Sequence, residues 1–229
     1  MISFQKVTKE YHLDEETIIT PLNNTTFDIF KGDFLIIVGR SGAGKTTLLN
    51  LAAGLIRPTY GRVLIDDLDM ADMTDKQLSL LRSQRMGFIF QFPSLLPSLT
   101  VLENVSLPVK FAPHNRRQDP YNRAQNLLQM VGLSQRQLAY PRQLSAGEQK
   151  RAVIARAMIN QPEILLADEP TADLDELTEK EIIARLKEIH DSGVTIVMVT
   201  HNLQLLPYAN KALVIENGSL RMIQEDLTV

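Results

Sequence analysis

Phe34-Leu35-Ile36-Ile37-Val38-Gly39-Arg40-Ser41-Gly42-Ala43-Gly44-Lys45-Thr46-Thr47 joins an unbroken apolar run to a glycine-rich turn closed by a lysine and two threonines. Five consecutive apolar residues suit a strand buried on both faces of a parallel sheet better than one with a solvated side. Gly39, Gly44, Lys45 and Thr46 stand at the full spacing of a phosphate-cradling loop. Such a loop turns with positive φ and brings backbone N–H groups against a triphosphate with no side chain in the way. The helix that follows adds its positive end, worth about 0.3–1 kcal/mol at an exposed site. Lys45 adds a whole charge near the β and γ phosphates, worth roughly 4 kcal/mol at about 4 Å and an effective dielectric near 20, before desolvation. The lysine therefore dominates. Thr46 is placed to ligate Mg²⁺ and Thr47 to reach a phosphate, so the candidate nucleotide contacts are Gly39, Arg40, Ser41, Gly42, Ala43, Gly44, Lys45, Thr46 and Thr47. A chance match in a chain this long is on the order of one in a hundred, which makes a plain glycine turn capping a helix the weaker reading.

Residues 45–55 read as a helix stopping near Gly54, with Pro58 and Gly61 punctuating the return into the apolar Val63-Leu64-Ile65. On the other side, residues 1–26 offer a short strand and a turn region rich in Asp, Glu and Asn. From about residue 78 to 159 the pattern becomes helical and is interrupted by Pro93, Pro97, Pro108, Pro113, Pro120 and Pro141, as in a helical subdomain inserted into the sheet. Strands resume at Ile164-Leu165-Leu166-Ala167 and Thr195-Ile196-Val197-Met198-Val199, which end in Asp168-Glu169 and Thr200-His201. In open parallel sheets such strand ends line the ligand crevice.

The acidic strand end suits catalysis beside a phosphate loop. Asp168 is placed to hold Mg²⁺ through water, and Glu169 to polarise an attacking water as general base. Taken alone, Asp-Glu after a strand is usually just chain leaving the core for solvent. The glycine loop in the same chain reverses that preference.

The 229 residues are 44% hydrophobic and 22% charged, enough apolar material for one substantial core or two joined lobes. A net charge of −3 leaves no basic field to draw in nucleic acid or an anionic membrane over a distance. The stretch His114 to Pro120 has no aromatic or further basic support and reads as a solvated loop rather than a nucleic-acid patch. Cysteine is absent, which excludes disulfides and thiolate metal sites. The amino terminus lacks the order of a secretory signal and no apolar run approaches a bilayer span, so a soluble, intracellular protein is expected.

With both motifs in place, nearly the whole chain resembles the nucleotide-binding subunits of ABC transporters. Leu144-Ser145-Ala146-Gly147-Glu148-Gln149-Lys150-Arg151 is similar to the family's LSGGQ signature and lies between the glycine loop and the acidic strand. Physically it is a hydroxyl and a glycine at a helix start, expected from Gln149 onward, which presents N–H groups to an anion. The resemblance implies that this anion is the γ-phosphate of ATP bound to a second copy, contacted by Ser145 and Gly147, with Glu148 beside them. Other positions match in order. Tyr11 is similar to the aromatic residue that stacks on adenine, with a core-packed aromatic an equal alternative. Gln91 resembles the glutamine that senses Mg²⁺ and the lytic water. Thr171-Ala172-Asp173-Leu174-Asp175 resembles the D-loop, with Asp175 expected at the dimer interface, and His201 resembles the switch histidine that contacts the γ-phosphate and steadies Glu169. The implied catalytic set is Glu169, His201, Gln91 and Lys45, and the implied Mg²⁺ set is Thr46, Gln91 and Asp168. Ala146 and Glu148 depart from the signature. The methyl is expected to be tolerated and the carboxylate to weaken ATP-driven closure.

The resemblance implies an α/β fold: a P-loop core with a mixed, mainly parallel sheet, an N-terminal antiparallel β region and an inserted α-helical subdomain. One domain is expected over residues 1–229, with a core lobe of about 1–85 and 160–229 and a helical subdomain of about 86–159. Residues 87–105 are close to the branch serving lipoprotein release and macrolide or peptide efflux. Phe92, Leu95, Leu96 and Leu99 are expected partly in a groove for a membrane partner and partly in the core. The implied function is ATP binding and hydrolysis, with closure of a dimer driving a separate integral membrane permease and the chain held at the inner face of the cell membrane. The alternatives are a regulatory assembly of the cell-wall or cell-division type, and a soluble relative acting on ribosomes or DNA. The latter usually carry two cassettes or a long insertion, and no nucleic-acid partner is expected.

Overall fold

The computed structural model describes residues 1–14, 17–112 and 119–223. In chain order the elements are β1 (Ile2–His12), β2 (Ile18–Ile29), β3 (Phe34–Val38), α1 (Lys45–Ala52), β4 (Tyr60–Ile65), β5 (Leu68–Asp69), α2 (Asp75–Arg85) and β6 (Met86–Ile89). There follow α3 (Val101–Ser106), α4 (Pro120–Met130), α5 (Ala146–Met158), β7 (Ile164–Asp168), α6 (Glu176–Asp191), β8 (Thr195–Thr200), β9 (Lys211–Glu216) and β10 (Ser219–Met222). Most of the stretch from His114 to Pro120 lies outside the described residues.

Two compact units are present, one from Met1–Ser79 with Thr195–Val229 and the other from Leu80–Val194. In the first, β1 pairs antiparallel with β2 and β4, and β4 with β5. β3 runs parallel to β8 and β9, with Leu35 opposite both Val197 and Lys211, and β10 closes antiparallel on β9. All five β3 residues and all six of β8 are buried, as an apolar strand flanked by parallel neighbours requires. The antiparallel sheet is far more extensive than the short strand expected from residues 1–26. The alternation of Ile2 and Phe4 breaks before Val7, where Lys6 adopts φ 51° and the register shifts, so a period-two signal does not survive along β1.

In the second unit β6 pairs parallel with β7, Met86 opposite Ile164 and Ile89 opposite Ala167. This strand falls inside the stretch read as helical, because four residues between α2 and a proline-rich loop are too short to carry a period. Helix α5 packs on β6 and α6, so the two strands and α6 group with the helices, and the division falls at residues 79/80 and 194/195. Helix α6 shows why such segments fold. Asp175 caps its amino end by accepting from the Thr178 amide at 3.0 Å, Ile182, Ile183, Leu186 and Ile189 form one buried face, and Gly193 at φ 100° ends it. Helix α1 stops at Ala52, earlier than residue 55, as Gly54 turns the chain at φ 60°. Helix α5 starts at Ala146 rather than Gln149, because Ser145 caps it.

Candidate active site

In the first unit β3 delivers the chain to the glycine loop and α1 carries it away. Gly44, the residue before α1, has φ 100°, and a Cβ there would lie 2.4 Å from the Pro21 carbonyl oxygen, so only glycine fits. The amino end of α1 has no side-chain cap and no acidic residue in its first turn. The positive dipole end of α1 therefore meets no carboxylate of its own first turn, which suits an anion. The buried Lys45 ammonium donates to the carbonyls of Gly39 at 2.7 Å and Arg40 at 3.1 Å. A cleft of about 660 Å³ opens against this loop, lined by Ile19, Thr20, Pro21, residues 38–43, His201, Leu203 and residues 214–218. The structure therefore brings the loop and His201 to one cavity. Thr46 is exposed and Thr47 half-buried. Tyr11 does not line the cleft, but it pairs across β1 and β2 with Ile19, which does. Its ring is exposed, with the Lys9 ammonium 5.1 Å from its centre, so it is no core aromatic.

In the second unit β7 presents Asp168, half-buried, and then Glu169, buried. Glu169 sits at φ 45° and Asp173 at φ 64°, a conformation that non-glycine residues adopt rarely and at a cost. The Glu169 carbonyl accepts from the Ala172 amide at 3.1 Å, closing the tight turn that leads to Asp173. Asp175 is occupied as the cap of α6, where the Thr178 hydroxyl and amide hold its carboxyl below the usual range. Gln91 is exposed, and its carbonyl accepts from the Lys150 ammonium at 2.5 Å. Lys150 is a residue whose role the sequence did not reveal, since its partner lies far away in the chain. Leu95 is buried and Leu99 half-buried, whereas Phe92 and Leu96 are exposed, the first by 72%.

The signature stretch is a capping box. Ser145 Oγ accepts from the Glu148 amide at 3.2 Å, and Glu148 Oε2 accepts from the Ser145 amide at 2.8 Å. The other oxygen, Oε1, meets Arg136 Nε at 3.0 Å. The Ser145 amide, aided by Arg136, holds the Glu148 carboxyl below the usual range. The added carboxylate is therefore turned back onto its own helix start and balanced by a cation. Ala146 is exposed, so its methyl meets no obstruction. Gly147 is buried, and a Cβ there would lie 2.6 Å from Thr178 Cγ2, a packing reason for glycine beside any role in binding.

The family model described as ABC transporter matches residues 22–172, well over half of the chain and including the glycine loop, the signature and the acidic strand. The chain belongs to the ABC transporter family. It is an ATP-binding P-loop protein, an ABC-type ATPase. The lipoprotein-releasing system ATP-binding protein LolD of Legionella pneumophila is 39% identical over 221 residues, 96% of each chain. The macrolide export ATP-binding/permease protein MacB of Vibrio parahaemolyticus is 39% identical over 222 residues, 96% of this chain but 33% of the relative, so this chain spans about a third of that protein. The expected branch is thus where these relatives lie. The ATP-binding cassette MJ0796 of Methanocaldococcus jannaschii, solved as a dimer in a post-hydrolysis state bound to ADP and Pi, matches with a TM-score of 0.89 at 37% identity, covering 98% of this chain and all of that one. The expected ABC fold is confirmed by that match. Among the described residues no helix is long and apolar enough to cross a membrane.

Proposed function

We propose that this chain clamps two Mg-ATP molecules between two copies of itself and that closure drives a separate integral membrane subunit of the export, lipoprotein or macrolide type, with the ATPase held at the inner membrane face through that subunit. The observation that carries the reading is the contrast between two helix starts. That of α1, beside Lys45, has no side-chain cap, while that of α5 is capped by a serine whose oxygen only accepts in the cap. The Ser145 hydroxyl proton is left to donate to a phosphate oxygen of the nucleotide on the other copy. MJ0796, a relative, forms a dimer, which supports the pairing.

On binding, the Lys45 ammonium exchanges the Gly39 and Arg40 carbonyls for β and γ phosphate oxygens, and Tyr11 offers its ring to adenine. Thr46, Asp168 and Gln91 are the hard oxygen donors that would hold Mg²⁺, which would supply charge neutralisation when bound. Glu169 takes a proton from the water whose oxygen attacks the γ-phosphorus, the bond to the β–γ bridging oxygen breaks, and ADP and phosphate leave. His201 steadies the γ-phosphate and Glu169, and Gln91 orients the water. Exposed Phe92 and Leu96 receive the membrane partner.

Glu169→Gln tests the reading. ATP binding should stay within about twofold and turnover fall at least a hundredfold, with ATP trapping a dimer seen by light scattering. Undiminished hydrolysis in this variant removes Glu169 as the base.

A further inference from the structure

Lys150 is buried in the second turn of α5, 4% exposed, and has no part in the reaction above. An ammonium is a costly occupant of a buried position and persists there only with partners. Its hydrogen bond reaches across 59 residues of sequence to the Gln91 carbonyl at 2.5 Å. Burial lowers the lysine's pKa, and the carboxylates of Asp173, Glu169 and Asp168, in falling order, act the other way and favour the charged form. Because β6 runs parallel to β7 with Ile89 opposite Ala167, the chain that continues to Gln91 leaves the sheet beside the Asp168-Glu169 end of β7. Further along α5, Arg156 donates to the carbonyls of Pro93 at 3.0 Å and Ser94 at 2.8 Å. The helix that Ser145 caps therefore grips the segment 91–94 by its main chain and leaves the Gln91 side chain to act.

We propose that Lys150 is a positioning residue for hydrolysis: its hydrogen bond to the Gln91 carbonyl tethers that glutamine beside Asp168 and Glu169 and ties it to the helix that carries the signature. The proposal rests on the reading of Glu169 as the base. The tether reaches the main-chain carbonyl of Gln91, so a neutral donor at position 150 serves in part, whereas an apolar side chain of equal length does not.

The test compares Lys150→Met, Lys150→Gln and Glu169→Gln in the full chain by steady-state ATP hydrolysis and thermal melting. Lys150→Met is expected to lower kcat at least tenfold with KM for ATP within threefold, since the loop that grips the triphosphate is untouched. Lys150→Gln, which keeps an N–H donor, is expected to recover kcat to within threefold of the unaltered protein. If Lys150→Met does not fold, Lys150→Ser, polar but too short to reach Gln91, should show the same loss. Unaltered kcat in Lys150→Met, or equal losses in Lys150→Met and Lys150→Gln, overturns the tether. Wild-type turnover in Glu169→Gln instead overturns the assignment of the base, so the two failures are distinguishable.

Discussion

The Lys45 ammonium lies 2.7 Å from the carbonyl oxygen of Gly39, so the cation of the glycine loop is held in place by the loop's own backbone. In the proposed mechanism, binding exchanges these oxygen acceptors for phosphate oxygens of greater charge. Lys45→Ala should weaken ATP binding by about ten- to a hundredfold, a fraction of the roughly 4 kcal/mol gross attraction once desolvation is counted. Titration with a fluorescent nucleotide checks it, and unchanged affinity would show that the amides alone hold the triphosphate.

Two glycines of the same loop separate backbone strain from steric conflict. Gly42 has φ 77° with open space where a Cβ would stand, while Gly44 has φ 100° and a Cβ would lie 2.4 Å from the Pro21 oxygen. Gly42→Ala should cost about 1 kcal/mol and Gly44→Ala about 3 kcal/mol or more. Chemical denaturation of the two variants gives the comparison, and equal losses would contradict the steric account.

Glu148 makes a stability prediction with a defined pH dependence. Its folded pKa is lowered, chiefly by the Ser145 amide, so its contribution is fully present above the ordinary carboxylate value of about 4.3 and is lost as pH falls through the lower folded value. Glu148→Ala removes half of the capping box and should cost about 1 kcal/mol at pH 7. The difference between variant and unaltered protein should shrink in acid. A difference that grows below pH 4.3 would reverse the sign and refute the cap as its source.

Asn104 organises the loop that leads into α3. It is fully buried, accepts from the Leu96 amide at 2.7 Å, and donates to the carbonyls of Leu96 at 3.1 Å, Leu99 at 3.1 Å and Thr100 at 3.0 Å. Asn104→Ala strands several of these groups and should lower stability by about 2–3 kcal/mol. Hydrogen exchange at Leu96 should quicken in the variant, and unchanged protection there would mean the loop is held by other contacts.

The parts of the site legible in the chain were contiguous ones. A glycine loop between an apolar strand and a helix, an apolar strand ending in Asp168-Glu169, and a hydroxyl and a glycine ahead of a helix each stand within a few residues, whereas the Ser145–Glu148 capping box and the helix start at Ala146 emerge only in the fold. The extent of the antiparallel sheet is hidden in the sequence because bulges near Lys6 and Asn24, both at positive φ, interrupt the alternation that marks a strand. Strand β6 carries no local signal of its own, because its burial comes from pairing with β7.

The sequence by itself determined the phosphate loop, the strands that end at it and at the acidic pair, and membership of the family, since covalent neighbours keep their spacing whatever the rest of the chain does. Tertiary structure alone decided that Lys150 meets the Gln91 carbonyl and that Arg136 balances Glu148. Those contacts join residues distant in the chain, and a hydrogen bond or ion pair of that kind depends on where packing brings two backbones, which no local periodicity records.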